Sequence, residues 1–170
     1  AAVYGKVEQG PIIGDNLAVA IMTNSGNGVV HDAAVRDLDG IRELDGFCSF
    51  VRGTHPSFAS PTIMLAGVNC PVRIGGTTCM PGDVVLGRHD GVVFIPPHLA
   101  EQVVKTSELI RLRDQFGKGR LAEGKYTPGQ IDTRWSDEIE QDFSGWLEAH
   151  QDELSVSPAA VQELLKERTW

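Results

Sequence analysis

At Pro96-Pro97 the hydrophobic pattern of the chain changes period, and that change constrains what each half can fold into. Before it, short apolar runs are broken by turn residues: FCSFV (47–51), NCPVRIGG (69–76), DVVLG (83–87) and GVVFIP (91–96). Runs of this length bounded by Gly, Pro and Asp predict buried strands. After it, PPHLAEQVVKTSELIRLRD places Leu99, Val103, Thr106 and Ile110 on one face of a helix, with Pro97 suited to a first helical position. Two more helices are expected in the tail, the last starting at Ser157-Pro158. Trp135, Ile139, Phe143, Trp146 and Leu147 recur at spacings of three and four, a stripe that packs either on its own domain or across a subunit interface. KGRLAEGKYTPGQ, Lys118 to Gln130, reads as a turn-rich linker.

Composition narrows the function classes. A chain of 170 residues with 41% hydrophobic and 22% charged residues has an ordinary globular make-up. No run of about 18 or more apolar residues is present, so no membrane-spanning helix is expected. The net charge of −8 argues against nucleic acid as a partner, because such binders carry basic stripes. Cys48, Cys70 and Cys79 fit neither a zinc knuckle nor a disulfide framework and are read as reduced, partly buried thiols of a cytoplasmic protein.

Two stretches carry the chemistry. IIGDNLAVAIM, Ile12 to Met22, sets Gly14 before a short helical run that Asp15 or Asn16 can cap. The N-terminus of such a helix presents backbone N–H groups and a partial positive charge, which suit a carboxylate or phosphate. GVVHDAAVRD, Gly28 to Asp37, returns as a strand and ends on two opposite charges. A helix-to-strand connection from Gly14 would set Arg36 and Asp37 beside the Gly14 turn, where α/β folds gather ligands. Arg36 offers a planar fork to a carboxylate or enolate oxygen, and Asp37 a hard oxygen ligand to a divalent metal. The plain alternative is a solvated pair opening the helix LDGIREL, with Asp37 as its cap. His55 in RGTHPS, His31 and Asp32 at the strand end, and Asp83 and Asp90 in turn sequences are further polar candidates, the last two chiefly as turn formers.

GVVHDAAVRDLDGIREL, FVRGTHPS and VNCPVRIGGTTCMPGDVVLGRHDGVVFIPP, in this order, resemble the RraA-like family, which groups regulators of ribonuclease activity with class II 4-hydroxy-4-methyl-2-oxoglutarate aldolases. The resemblance runs from about Val3 to about Leu112. It implies an α/β fold with a layered βα core like that of swivelling phosphohistidine domains, a core at 1–114, and a linker with a helical C-terminal extension at 115–170. It also implies a further N-terminal segment before AAVYGKV, and a homotrimer or homohexamer for which the aromatic stripe offers apolar surface. By the same resemblance Arg36 and Asp37 are the catalytic pair, Asp37 holds Mg²⁺ or Mn²⁺, and Gly14, Asp15, Asn16, Leu17 and Arg36 bind substrate, with Asp15 orienting a metal-bound water. Ala33, Gly40 and Arg88 depart from the family pattern; Gly40 stands where many aldolases carry an acidic residue.

The expected chemistry is metal-dependent carbon–carbon cleavage of a small 2-keto acid, by retro-aldol reaction, oxaloacetate decarboxylation or both, through a shared pyruvate enolate. A Schiff-base lysine is not evident, since Lys6 is the only lysine before position 105. The competing expectation is a non-enzymatic regulator that binds and inhibits a ribonuclease.

Overall fold

Parallel pairing of short strands around the buried β-segments at 29–32 and 34–35 organises the first part of the chain. The computed structural model describes residues 10–57, 64–150, 154, 156, 157, 159 and 161, and the backbone of 2–4. It divides into two compact units, Ala1–Pro97 and His98–Trp170.

In the first unit, β1 (Ala2–Tyr4) leads to α1 (Asp15–Ser25), which returns as β2 (Val29–Asp32). After Ala33 come β3 (Ala34–Val35), α2 (Leu38–Arg42), β4 (Ser49–Phe50) and β5 (Gly53–Thr54). β1, β2 and β4 form a parallel sheet in that order, so α1 and α2 are crossover helices. The helix predicted after Gly14 is thus present, closed at Gly26, whose N–H donates to Met22 O. Its N-cap is Gly14 itself, with no side-chain cap; Asp15 and Asn16, expected as caps, are the first helical residues. Ile13, Ala18, Val29, Val35 and Ile41 form the core between these helices and strands.

Ala33 interrupts what would otherwise be one strand. Val30 pairs with Phe50 and Ala34 with Gly53, so four steps on one side face three on the other. The surplus residue is a bulge, and the Ala33 carbonyl still accepts from Arg52 N at 3.0 Å.

Two antiparallel hairpins complete the first unit: β6 (Val72–Ile74) with β7 (Thr77–Cys79), and β8 (Val84–Arg88) with β9 (Gly91–Ile95). The strands expected at 83–87 and 91–96 are therefore present but not buried. Val84, Val85 and Leu86 stand about half exposed on both faces of β8, because a two-stranded ribbon covers neither face.

In the second unit, α3 (Pro97–Ala122) starts at the expected proline, and α4 (Pro128–Ile131) and α5 (Asp137–Ala149) follow. Two expectations change here. The compact units divide at Pro97/His98, and Asp114 and Gln115 lie within one uninterrupted helix. The expected stripe of α3 is partly exposed, with Leu99 and Val103 both at 39%; its buried face is Leu109, Leu112, Arg113, Phe116 and Gly117. The linker begins as α3 and then holds α4, started by a capping box between Thr127 and Gln130 with Pro128 at its first turn.

The aromatic stripe packs inside its own unit. Phe143 is fully buried, and Phe116 lies 5.3 Å from both Trp135 and Phe143, ring to ring. Leu147, Ile139 and Val161 join this core. Arg113 lies with its guanidinium 4.2 Å over the Trp135 ring, and its Nη2 donates to both oxygens of Glu140 at 2.7 Å. Asp142 accepts from Arg120 Nε and Nη2 at 2.8 and 2.9 Å and from the Tyr126 hydroxyl at 3.1 Å. The final helix expected from Ser157 lies mostly outside the described residues; within them, Val161 N donates to Ser157 O.

Candidate active site

Three chain segments end together in the first unit. Ile13 bridges Val35 in parallel, with Ile12 N donating to Ala34 O and Arg36 N to Ile13 O, both at 3.0 Å. On the other side β5 pairs with β3, and His55 N donates to Val35 O at 2.9 Å. The ladder therefore delivers Gly14, Arg36 and His55 side by side at the carboxyl ends of parallel segments, the usual place for ligands in such sheets.

Gly14 is where these segments come closest. A Cβ there would meet Asp37 Oδ2 inside contact distance and lie 2.9 Å from Arg36 Nε. Any larger residue would displace the pair, so the juxtaposition anticipated from the helix-to-strand connection is present and depends on glycine.

Asp37 occupies the N-cap position of α2, yet its side chain caps nothing. Its backbone sits in the left-handed region (φ 55°, ψ 45°), which Asp tolerates better than most residues but at some cost in energy. The carboxylate turns instead to Arg36, whose Nε donates to Oδ2 at 3.1 Å, with the two side chains 40% and 46% exposed. The plain alternative, a solvated pair opening this helix, holds in position and exposure; what differs is that the Asp37 side chain makes no cap bond and turns to Arg36.

Asp15 opens α1 with Oδ1 accepting from Asn16 N at 2.7 Å, a bond closed on its own backbone. Asn16 and Leu17 are exposed at the same helix end. The departure at Gly40 has a local reason: a Cβ there would stand 2.7 Å from Asp15 Oδ2.

The other polar candidates resolve differently. Asp32 is buried and structural: Oδ1 accepts from Arg52 Nε, and Oδ2 from Gly75 N at 2.7 Å, tying the β6–β7 turn to the sheet. His31 is buried at the sheet centre with its Nδ1 unpartnered among the described residues, and burial pushes its imidazole down to about 4. His55 Nδ1 meets the Ser57 hydroxyl at 2.9 Å. Asp83 is a turn former, accepting from Met80 N at 2.8 Å, and Asp90 lies in the tight β8–β9 turn. Nothing in the sequence signalled the Asp32 tether, whose partner is 43 residues away.

A cleft of about 1060 Å³ opens elsewhere in this unit, lined by Val29, Cys48, Phe50, Cys70, Cys79 and Leu86 among others. Gly14, Asp15, Arg36 and Asp37 do not line it. All three cysteines are free thiols; Cys48 and Cys70 are exposed and Cys79 is buried.

Among the described residues no three His, Cys, Asp or Glu side chains gather as a metal cage. A single carboxylate still fits Mg²⁺ or Mn²⁺, hard cations that retain waters and take one or two protein carboxylates besides substrate oxygens.

Comparison with known proteins agrees with this architecture. The family described as "RraA-like: Aldolase/RraA" matches residues 2–94, and the chain belongs to it. A Halalkalibacterium halodurans protein provisionally named a 4-hydroxy-4-methyl-2-oxoglutarate aldolase is 33% identical over 96 residues, 56% of this chain and 45% of that protein. The crystal structure of Streptomyces coelicolor RraAS2, described as an unusual member of the RNase ES inhibitor RraA protein family, is similar with a TM-score of 0.62 at 31% identity, covering 70% of this chain and 60% of that one. An uncharacterised Pseudomonas syringae protein superposes with a TM-score of 0.68 at 25% identity, over 77% of this chain and 60% of its own. The chain spans about half the length of the curated aldolase-named relatives it matches. Among the described residues no helix is long and apolar enough to cross a membrane.

Proposed function

We propose that the first unit carries a divalent-metal-dependent carbon–carbon lyase site for small 2-keto acids, acting in the cytoplasm, with Arg36 and Asp37 as its catalytic pair. The observation that carries this reading is Asp37: a carboxylate kept out of helix capping, on left-handed backbone, against Arg36 and the Gly14 turn.

In this reading Asp37 holds Mg²⁺ or Mn²⁺. The ion, when bound, supplies a Lewis acid that favours the pyruvate enolate over the intact 2-keto acid. The first turn of α1, from Gly14 through Asp15, Asn16 and Leu17, receives the substrate carboxylate on backbone N–H groups and helix dipole. Arg36 keeps its terminal nitrogens for the same anion while Nε fixes Asp37, and its planar fork orients the keto acid in a way a lysine would not. Asp15 is the nearby carboxylate for moving a proton or orienting water. Retro-aldol cleavage of 4-hydroxy-4-methyl-2-oxoglutarate-type substrates and oxaloacetate decarboxylation both use this arrangement. Assembly as a homotrimer or homohexamer belongs to the same proposal and is checked by light scattering.

A second reading rests on the likeness to RraAS2: a regulator that inhibits a ribonuclease by binding, without catalysis. Pyruvate release from oxaloacetate, with and without EDTA, separates the two. Metal-dependent turnover supports the lyase; turnover insensitive to EDTA, or none with Mg²⁺ or Mn²⁺ supplied, removes it.

A further inference from the structure

Gly40 lies within α2, where alanine would ordinarily be the better helix former. Its φ is not positive, so no backbone constraint calls for glycine. What glycine provides is room. A Cβ at 40 would stand 2.7 Å from Asp15 Oδ2, 2.8 Å from Asp15 Cβ and 3.2 Å from Asp15 Cγ. Rotation of the Asp15 side chain cannot relieve such a contact, because Cβ is fixed by the backbone of α1. An added methyl therefore has to push α1 away from α2.

The start of α1 also holds Gly14, whose own missing Cβ leaves room for Arg36 and Asp37. Two consecutive residues, 14 and 15, thus rest against the loop and helix that begin at 36, through two separate absences of a side chain. We propose that Gly40 is a positioning residue of the lyase site: it sets the N-terminus of α1 against α2, and with it the placement of Asp15 and Gly14 relative to Arg36 and Asp37. This inference rests on the lyase reading of that pair. Displacement of a substrate-holding segment by a fraction of an ångström to 1 Å is enough to cost up to about 100-fold in rate.

The test is a double-mutant cycle on the full chain with Gly40→Ala, Asp15→Gly and the two combined. Asp15→Gly is chosen because it removes the Cβ as well as the carboxylate. Oxaloacetate decarboxylation is measured below the melting transition of every variant, with rates normalised to the Mn²⁺-binding fraction so that loss of folded protein does not count. Gly40→Ala is expected to lower kcat about tenfold or more in the native background. Asp15→Gly also removes the carboxylate proposed to move a proton, so the cycle is read in the thermal midpoint, which is independent of turnover: Gly40→Ala lowers it in the native background and raises it in the Asp15→Gly background, where only helix propensity remains. An active native chain whose Gly40→Ala variant turns over equally fast, or is destabilised alike in both backgrounds, overturns the positioning role and leaves the lyase reading standing. A native chain inactive with Mg²⁺ and Mn²⁺ overturns both.

Discussion

The two units answer the same problem, a small core, in opposite ways. The second gathers Phe116, Trp135, Phe143 and Trp146 into one aromatic cluster and pairs its enclosed charges, Arg113 with Glu140 and Arg120 with Asp142. The first packs small side chains such as Ala18, Ala33 and Ala34, leaves Val84, Val85 and Leu86 in contact with water, and buries a histidine whose Nδ1 has no partner among the described residues. The candidate site lies in this less satisfied unit, on strained backbone. Sites that must accept a ligand draw on regions where internal contacts are incomplete; in the second unit the described residues leave Arg113 Nε without a partner, but inside the aromatic core.

All three tryptophans, at 135, 146 and 170, belong to the second unit. Tryptophan fluorescence therefore reports on that unit, and activity or hydrogen exchange at 29–35 on the other. Asp37→Ala should reduce pyruvate release by about 100-fold or more, as removal of the proposed hard metal ligand requires, with the fluorescence midpoint unchanged. Asp37→Gly should be equally inactive yet about 1 kcal/mol more stable than Asp37→Ala, because glycine accepts the left-handed backbone. If Asp37→Gly retains activity, the Asp37 carboxylate is not the metal ligand and the catalytic pair loses its support.

Acid should separate the units next. The His31 imidazole sits at about 4, below its ordinary 6.5, because burial excludes the charged form. The unfolded chain takes up the proton first, so stability is untouched above about pH 6.5, declines as pH falls toward 4, and is lower by on the order of 3 kcal/mol beneath that. Asp142 is held down at about 2, chiefly by the hydrogen bonds from Arg120; its stabilisation is complete above 3.8 and lost only as pH falls from there toward 2. Between pH 6.5 and 4, the protection at 29–35, measured against the intrinsic exchange rate at each pH, should fall while fluorescence holds, and His31→Asn should flatten that response. Loss of both signals over one pH range would break the contrast.

Arg113→Ala tests the second unit from inside. It strips the stacking on Trp135 and leaves Glu140 unpaired, which should lower stability by about 3 kcal/mol and move the fluorescence midpoint. The smallest effect is expected on the exposed ribbon, where Val85→Thr should change stability by no more than about 0.5 kcal/mol, read by thermal melting, while reducing self-association.

What the sequence made legible follows the same divide between local and distant causes. The approach of Gly14 to Arg36 and Asp37 could be anticipated because one helix and one strand connect them. α5 could be placed because the apolar period from Trp135 to Leu147 is regular; the Ser136 cap, accepting from Ile139 N, adds to it in the structure. Exposure of β8 could not, since VVL reads the same whether or not something covers it. The buried face of α3 was misjudged because Leu99 and Val103 repeat as regularly as Leu109 and Phe116, and only the tertiary partner distinguishes them. α4 went unseen because TPGQ is also a good turn. Asp32 looked like a site residue by position, and its bond to Gly75 depends on a chain reversal that no local pattern announces.

The surplus residue at Ala33 turns chain length into a carrier of information. Deleting it would give the strand an even count against β4 and β5 and a more regular ladder. The two-residue alternation would then present Val35 to the opposite face and carry Arg36 and Asp37 away from Gly14. Substitutions between His31 and Arg36 alter packing by degrees, but a deletion there would keep the sheet and lose the constellation. In an alignment of distant sequences to this chain, a gap opened within 32–35 would mark proteins that share the scaffold without this arrangement at its strand ends.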